Sequence, residues 1–362
     1  MPQQSPKSNP VGKIKTRNAI YPILIGLGVV GWMLYKDFDP AVFAGMTFSW
    51  STLFWLFMAI LCMFGRDLGY IIRIKVFSDG QLTWMQAFRV IMLWEFTSAV
   101  TPSAVGGTSI AILYVHKEGI SLGKSSTMVM LTSFFDEFYF VLMLPLVVLA
   151  VGKAQLFNLS EVTGSFLSMS LMTVALAGYF LKLVWVLILS YGLFINPRGL
   201  KWLLLKIFKL KLLRRWYRSV NQVGTDIILS SKELKTKKTG FWTKSFLSTF
   251  LSWSSRYLVA NALILAFFGH ADQLLLFARQ LVMWIMMLIM PTPGGSGFAE
   301  YIFTHFLGDS MPVAPELQVA AGTLVAVVWR LVTYYPYLIV GAVLFPRWIN
   351  THFSRRAFKQ KA

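Results

Sequence analysis

Six apolar runs, at 19–35, 50–72, 125–151, 166–190, 242–268 and 317–345, have the length a helix needs to cross a bilayer. The hydrocarbon is roughly 30 Å thick and takes about 20 helical residues to span. Inside it no water can satisfy a backbone N–H or C=O, so each run is expected to be α-helical. The composition agrees: 56% of residues are hydrophobic and 14% are charged, which excludes an ordinary soluble domain. Cys62 is the sole cysteine, so no disulfide framework or thiolate metal cluster is possible within the chain. The four histidines (His116, His270, His305 and His352) show no ligand spacing, and neither a metal nor another cofactor is expected. Residues 1–18 read as a polar, basic tail. No small-residue cleavage motif follows the first apolar run, which is therefore expected to be a retained span.

Two further apolar segments, 87–100 and 275–290, run straight into Gly/Pro breaks. The breaks are Thr101-Pro102-Ser103-Ala104-Val105-Gly106-Gly107 and Pro291-Thr292-Pro293-Gly294-Gly295-Ser296-Gly297. Proline removes a backbone donor and glycine weakens a helix, so both segments should interrupt helix. Irregular backbone at membrane depth is stable only where protein or a water-filled cavity serves its polar groups. Breaks at corresponding places in two halves of a chain point to a transport site between inverted repeats. Gly106, Gly107, Gly294 and Gly295 are expected to take non-helical angles and to let a headgroup approach the backbone.

The charges set a topology. Stretch 196–241 carries Arg198, Lys201, Lys206, Lys209, Lys211, Arg214, Arg215, Arg218, Lys232, Lys235, Lys237 and Lys238 against Asp226 and Glu233. By the positive-inside rule it is cytoplasmic, as are the basic N- and C-terminal segments. Counting crossings then places Arg73, Lys75 and Arg89 in a cytoplasmic loop. It also makes 87–124 begin and end inside and 275–316 begin and end outside. Each half thus reads as three spanning helices and one re-entrant hairpin: 19–151 with 87–107, and 166–345 with 275–300, followed by a tail, 346–362. Three crossings per half is odd, so the second repeat is inverted. The alternative, eight crossings, would need 108–124 and 298–316 to cross the bilayer, and both are polar for that.

Within 196–241, Trp202, Leu203, Leu204, Leu205, Ile207, Phe208 and Trp216 interleave with Lys and Arg, as in an interfacial amphipathic helix. Between spans of a membrane protein, that pattern indicates contact with anionic lipid headgroups and not with nucleic acid.

Charges inside the spans are costly unless paired or wetted and so mark the candidate site. Asp136 and Glu137 fall near the middle of 125–151, Arg256 near the middle of 242–268, and Arg330 near the middle of 317–345. Glu95 lies in the first hairpin, Arg279 at the mouth of the second, and Glu300 just after the second break. Arg66 and Asp67 fit a fixed ion pair or snorkelling near an interface. Asp136 and Glu137 point about 100° apart on a helix, so one of the two is expected to face the cavity. The substrate-binding set is Arg256, Arg330, Asp136, Glu137, Glu95, Glu300 and Arg279, with Thr101, Pro102, Gly106, Gly107, Pro291, Pro293, Gly294, Gly295 and Gly297 of the breaks. Paired carboxylates could in principle serve acid–base chemistry, as in a membrane glycosyltransferase. No nucleophile elbow, P-loop or zinc motif accompanies them, and the reading is a non-enzyme.

The string Thr101–Gly107, followed by Gly119-Ile120-Ser121-Leu122-Gly123-Lys124, Asp136, and Pro291–Glu300, resembles the lysylphosphatidylglycerol synthetase transmembrane region, also called flippase-like or UPF0104. The resemblance covers the chain from its first span to its last. It implies a membrane domain that binds lipid in a central cavity and moves it between leaflets. Bifunctional members carry a soluble aminoacyl-transferase domain, and about 17 residues follow the last span here, so aminoacyl transfer is not expected. The first break also lacks the acidic residue that many relatives place after it; Thr108 and Ser109 stand there. The expected protein is a lipid translocator of a bacterial inner membrane, with both termini cytoplasmic. An aminoacyl-lipid-modifying accessory role is the other alternative to transport. Its ligand is expected to have an anionic headgroup, on a phospholipid or a polyprenyl phosphate. A second copy of the chain or a lipid-modifying enzyme are the protein partners such a domain could take.

Overall fold

The computed structural model describes residues 35, 40–45, 49–101, 104–157, 165–210, 214, 217–287 and 298–353. All regular structure among them is helical. The expected first span, 19–35, lies outside the described residues apart from Tyr35, and so does the whole Pro291–Gly297 break. Five described stretches are long and apolar enough to cross a membrane: Trp50–Phe77, Leu122–Val151, Met172–Ile195, Thr239–Phe268 and Pro315–His352. They match the remaining five expected spans.

In chain order the principal helices are α1 (Trp50–Phe77), α2 (Trp84–Val100), α3 (Ala104–Lys117), α4 (Leu122–Val151) and α5 (Ser165–Ser190). Next come α6 (Pro197–Ile207), α7 (Tyr217–Lys235), α8 (Thr239–Phe268) and α9 (Gln273–Met286). The last are α10 (Phe298–Ile302), α11 (Gln318–Thr333) and α12 (Tyr335–Phe353). Two boundaries differ from expectation for local reasons. The helix expected to end at 72 continues to Phe77, which brings Arg73 into the bundle and out of the cytoplasmic loop assigned to it. The run 317–345 is divided at Tyr334 (φ −122°, ψ −55°). Pro336 has no N–H to continue α11 but is tolerated in the first turn of a new helix.

Helices α2 and α3 have 17 and 14 residues, or about 26 and 21 Å, short of the hydrocarbon thickness. They run antiparallel. Thr83 and Gln86 cap the start of α2 reciprocally, and the Gln86 side chain donates to the Glu118 carbonyl (3.3 Å), just past the end of α3. Asp79 accepts from Lys124 at the start of α4 (2.8 Å) and from Lys237 before α8 (2.5 Å). The end of α1, the start of α2, the end of α3 and the starts of α4 and α8 therefore meet at one end of the bundle. At the other end, the Asn261 side chain donates to the Gln273 carbonyl at the start of α9 (2.8 Å). Arg279 of α9 donates to the Phe306 carbonyl (3.0 Å), to Ser310 (2.6 Å) and to the Gln155 carbonyl beyond α4 (3.2 Å).

The basic stretch folds as two helices and not as one amphipathic helix. α6 packs on α7, and α7 buries Ile227, Ser231 and Leu234 and packs on α4. Trp202, Leu203 and Ile207 of α6 remain exposed among the basic residues. On α1, Leu53, Phe54, Phe57, Ile60, Leu61, Phe64 and Leu68 face outward, a large apolar surface that suits lipid and not water.

The most extensive contact between described helices joins α1 to α8. Small residues permit it: Gly65 and Gly69 of α1 meet Ser255, Ser252 and Ser248 of α8. The Ser252 hydroxyl donates to the Arg66 carbonyl at 2.8 Å. Close backbone approach through small residues is how helices associate when lipid removes the hydrophobic drive between them. A β-carbon at Gly69 would lie 2.6 Å from the Ser248 carbonyl oxygen. Gly69→Val should accordingly destabilise the protein by about 1–3 kcal/mol, the usual range for overpacking. Gly240→Ala, where a β-carbon meets nothing within 4 Å, should be near neutral. Melting curves of the two variants in nanodiscs check this, and equal melting temperatures would show that α1 and α8 are not held so closely.

Candidate functional site

A cavity of about 350 Å3 opens between α1, α2, α3, α4, α5, α8, α9, α11 and α12. Its lining holds four cations, Arg73, Lys182, Arg256 and Arg330, and three carboxylates, Glu95, Asp136 and Glu137. Trp94, Trp253, Trp284 and Trp329 form much of its aromatic wall.

The charges arrive from six helices, Asp136 and Glu137 sharing α4, and most are matched. Arg73 of α1 grips Asp136 of α4 with both terminal nitrogens (2.6 and 3.2 Å) and also donates to Thr249 of α8 (3.0 Å). The Trp253 indole N–H donates to the same carboxylate at 2.7 Å, so three helices meet on Asp136. Lys182 of α5 pairs with Glu137 (2.5 Å), its ammonium lying 4.2 Å from the centre of the Phe140 ring. Arg330 of α11 pairs with Glu300 of α10 at 2.8 Å, with both side chains nearly fully buried. Behind the wall, Arg66 is 1% exposed and holds two carboxylates, Asp67 (2.8 Å) and Glu95 (2.6 Å). The Tyr337 hydroxyl accepts from Arg66 (2.6 Å) and donates to Asp67 (2.7 Å).

Arg256 is different. Its guanidinium lies 4.0 Å from the centre of the Trp284 ring and 5.5 Å from that of Trp253. Among the described residues no carboxylate oxygen comes within 4.0 Å of it and no hydrogen bond to it is formed. The two indoles orient a planar cation by cation–π contact and leave its five donors available. A guanidinium presented this way fits a phosphate or carboxylate bidentately.

The expected site residues divide accordingly. Arg256, Arg330, Asp136, Glu137, Glu95 and Thr101 line the cavity. Glu300 sits behind Arg330, engaged by it. Arg279 lies elsewhere, paired with Asp309 (3.1 Å) and tying the start of α9 to residues 306–310. Both Asp136 and Glu137 reach the cavity, against the expectation of one, because each has its own cation on a different neighbouring helix. Arg66 and Asp67 form a core ion pair; with Arg66 this buried, snorkelling is excluded.

At the first break, Thr101 is extended (φ −99°, ψ 141°), while Pro102 lies outside the described residues. Gly106 and Gly107 do not take the expected non-helical angles: both belong to α3. Gly107 has a packing role instead, since a β-carbon there would collide with Ser98 of α2. Pro291, Pro293, Gly294, Gly295 and Gly297 lie outside the described residues. Sequence reasoning missed Arg73, hidden just past an apolar run, and Lys182, a mid-span charge that the rule applied to Arg256 would have found. It also passed over Trp253 and Trp284, which look like ordinary bilayer-facing aromatics until the arginine against them is seen.

The lysylphosphatidylglycerol synthase TM region family matches residues 19–341, and the chain belongs to it. A UPF0104 membrane protein of Archaeoglobus fulgidus is 25% identical over 304 residues, covering 80% of this chain and 81% of the relative. No solved structure matches the chain. It is a multi-pass membrane protein.

The pairing pattern separates two kinds of arginine. Arg73→Ala leaves Asp136 uncompensated in the bundle and should cost about 3–5 kcal/mol, with much of that recovered in Arg73→Ala/Asp136→Asn. Arg256→Gln strands no carboxylate and should leave the melting temperature nearly unchanged. A loss of stability in Arg256→Gln as large as that in Arg73→Ala would show that Arg256 is structural.

Proposed function

We propose that the protein moves a phospholipid or polyprenyl-phosphate lipid between leaflets of the cytoplasmic membrane, binding the phosphate of the headgroup at Arg256. The observation that carries this reading is the guanidinium lying against the Trp253–Trp284 pair, in a cavity where every other cation of the described lining already has a carboxylate. A cation at membrane depth without a counter-ion is expensive, and an anionic ligand supplies one. The family's lipid-related name supports the choice of ligand. A catalytic reading has less support: Asp136 and Glu137 are both engaged by cations, so neither is placed as a free base.

In this reading α2–α3 and α9–α10 are re-entrant hairpins of two inverted repeats, dipping in from opposite faces toward the cavity. Support comes from the contacts at the bundle ends. Gln86 meets Glu118 at the end where α8 starts, and Arg279 meets Phe306 and Ser310 at the end where α4 finishes. The basic α6–α7 region and both termini then face the cytoplasm, where α6 can rest its tryptophan and leucines among anionic headgroups.

Two experiments test this. In liposomes with a fluorescent phospholipid, Arg256→Gln should slow leaflet exchange roughly tenfold or more, since a charge-assisted hydrogen bond contributes about 1.5–3 kcal/mol. Exchange at the wild-type rate would remove Arg256 from the site. In a Cys62→Ser background, an impermeant maleimide should label Ser121→Cys from the cytoplasmic side and His270→Cys from the other. Labelling of both from one side would overturn the topology.

A further inference from the structure

The charges around the cavity do not pair one to one. Arg66 holds two carboxylates, Asp67 and Glu95, whereas Arg256 holds none among the described residues. The remaining cations of the lining have one carboxylate each. Among the described residues the charges in and behind the cavity wall therefore balance overall, with a surplus carboxylate at Arg66 and a surplus guanidinium at Arg256.

Glu95 is the carboxylate of the Arg66 group that the cavity can reach. Asp67 is held by Arg66 and by the Tyr337 hydroxyl, whereas Glu95 has the single contact to Arg66 through one oxygen. Glu95 is 24% exposed and lines the cavity next to Trp94.

A ligand with a phosphate and nothing else would satisfy Arg256 and leave Glu95 without its distant counter-charge, giving the cavity a net negative charge in a medium that tolerates it poorly. A ligand with an amine beside the phosphate would satisfy both groups and preserve the balance. We infer that the site is built for a phospholipid headgroup of zero net charge, its phosphate on Arg256 and its ammonium on Glu95 with Trp94 as an aromatic neighbour. This narrows the proposed translocation reading and rests on it.

The test is a binding competition with the full-length protein in detergent, using phosphatidylethanolamine and phosphatidylglycerol with matched short acyl chains, read by native mass spectrometry. The wild type should favour phosphatidylethanolamine by at least about tenfold, the ratio that 1.4 kcal/mol of selectivity produces. Glu95→Gln leaves the cavity with one surplus positive charge and should shift the ratio toward phosphatidylglycerol by a similar factor. Glu95→Asp, which keeps the charge, should retain the wild-type preference and serves as the folding control. Arg256→Gln should weaken both lipids. A wild type that binds phosphatidylglycerol as well or better, or a ratio unmoved by Glu95→Gln, overturns the zwitterion assignment and leaves the phosphate site standing. If Arg256→Gln binds both lipids unchanged, the site and this inference fall together.

Discussion

A charge in the middle of a membrane bundle is stable only beside an opposite charge or a wet cavity, and the interior of this protein is arranged around that requirement. Arg73, Lys182 and Arg330 each reach across to a carboxylate on another helix, so the ion pairs also fix which helices are neighbours. Removing one member leaves the other buried alone, which costs far more than the pair itself contributes. Such contacts therefore specify the assembly more than they stabilise it. Arg256 departs from the pattern, and its two indoles hold it in position without neutralising it.

The geometry that makes this possible begins with small residues. Because Gly65 and Gly69 let α1 approach α8 closely, Arg73, Trp253 and Arg256 come to surround one space. Gly107 does the same between α2 and α3, letting α3 lie against Ser98. The extended Thr101 then ends α2 at the cavity, where Ser98, Ala99 and Thr108 also contribute to the lining. Helix packing, and not left-handed backbone, is what glycine provides at Gly107.

Much of the architecture was legible in the apolar runs, because lipid leaves a long hydrophobic segment no alternative to helix. Five described spans fall where the runs put them, and the split at Tyr334 could have been read from Pro336. The candidate site was legible as a set of mid-span charges but not as a set of partners. Which cation meets which carboxylate depends on helix rotation and neighbour order, and neither has a sequence period. That is why Arg330 and Arg256 looked equivalent as sequence and differ in the folded chain: Glu300 lies against one of them only. Arg73 was assigned to a loop because hydropathy fades before the helix does, and the carboxylate that buries it is 63 residues away.

The most direct test of the headgroup site proposed at Arg256 is an electron cryomicroscopy structure of the protein in nanodiscs of natural lipid. Headgroup density within hydrogen-bonding distance of the Arg256 guanidinium, beside Trp253 and Trp284, is the expected result. A cavity closed by a direct Arg256–Glu95 ion pair, with lipid confined to the outer surface of the bundle, would contradict it.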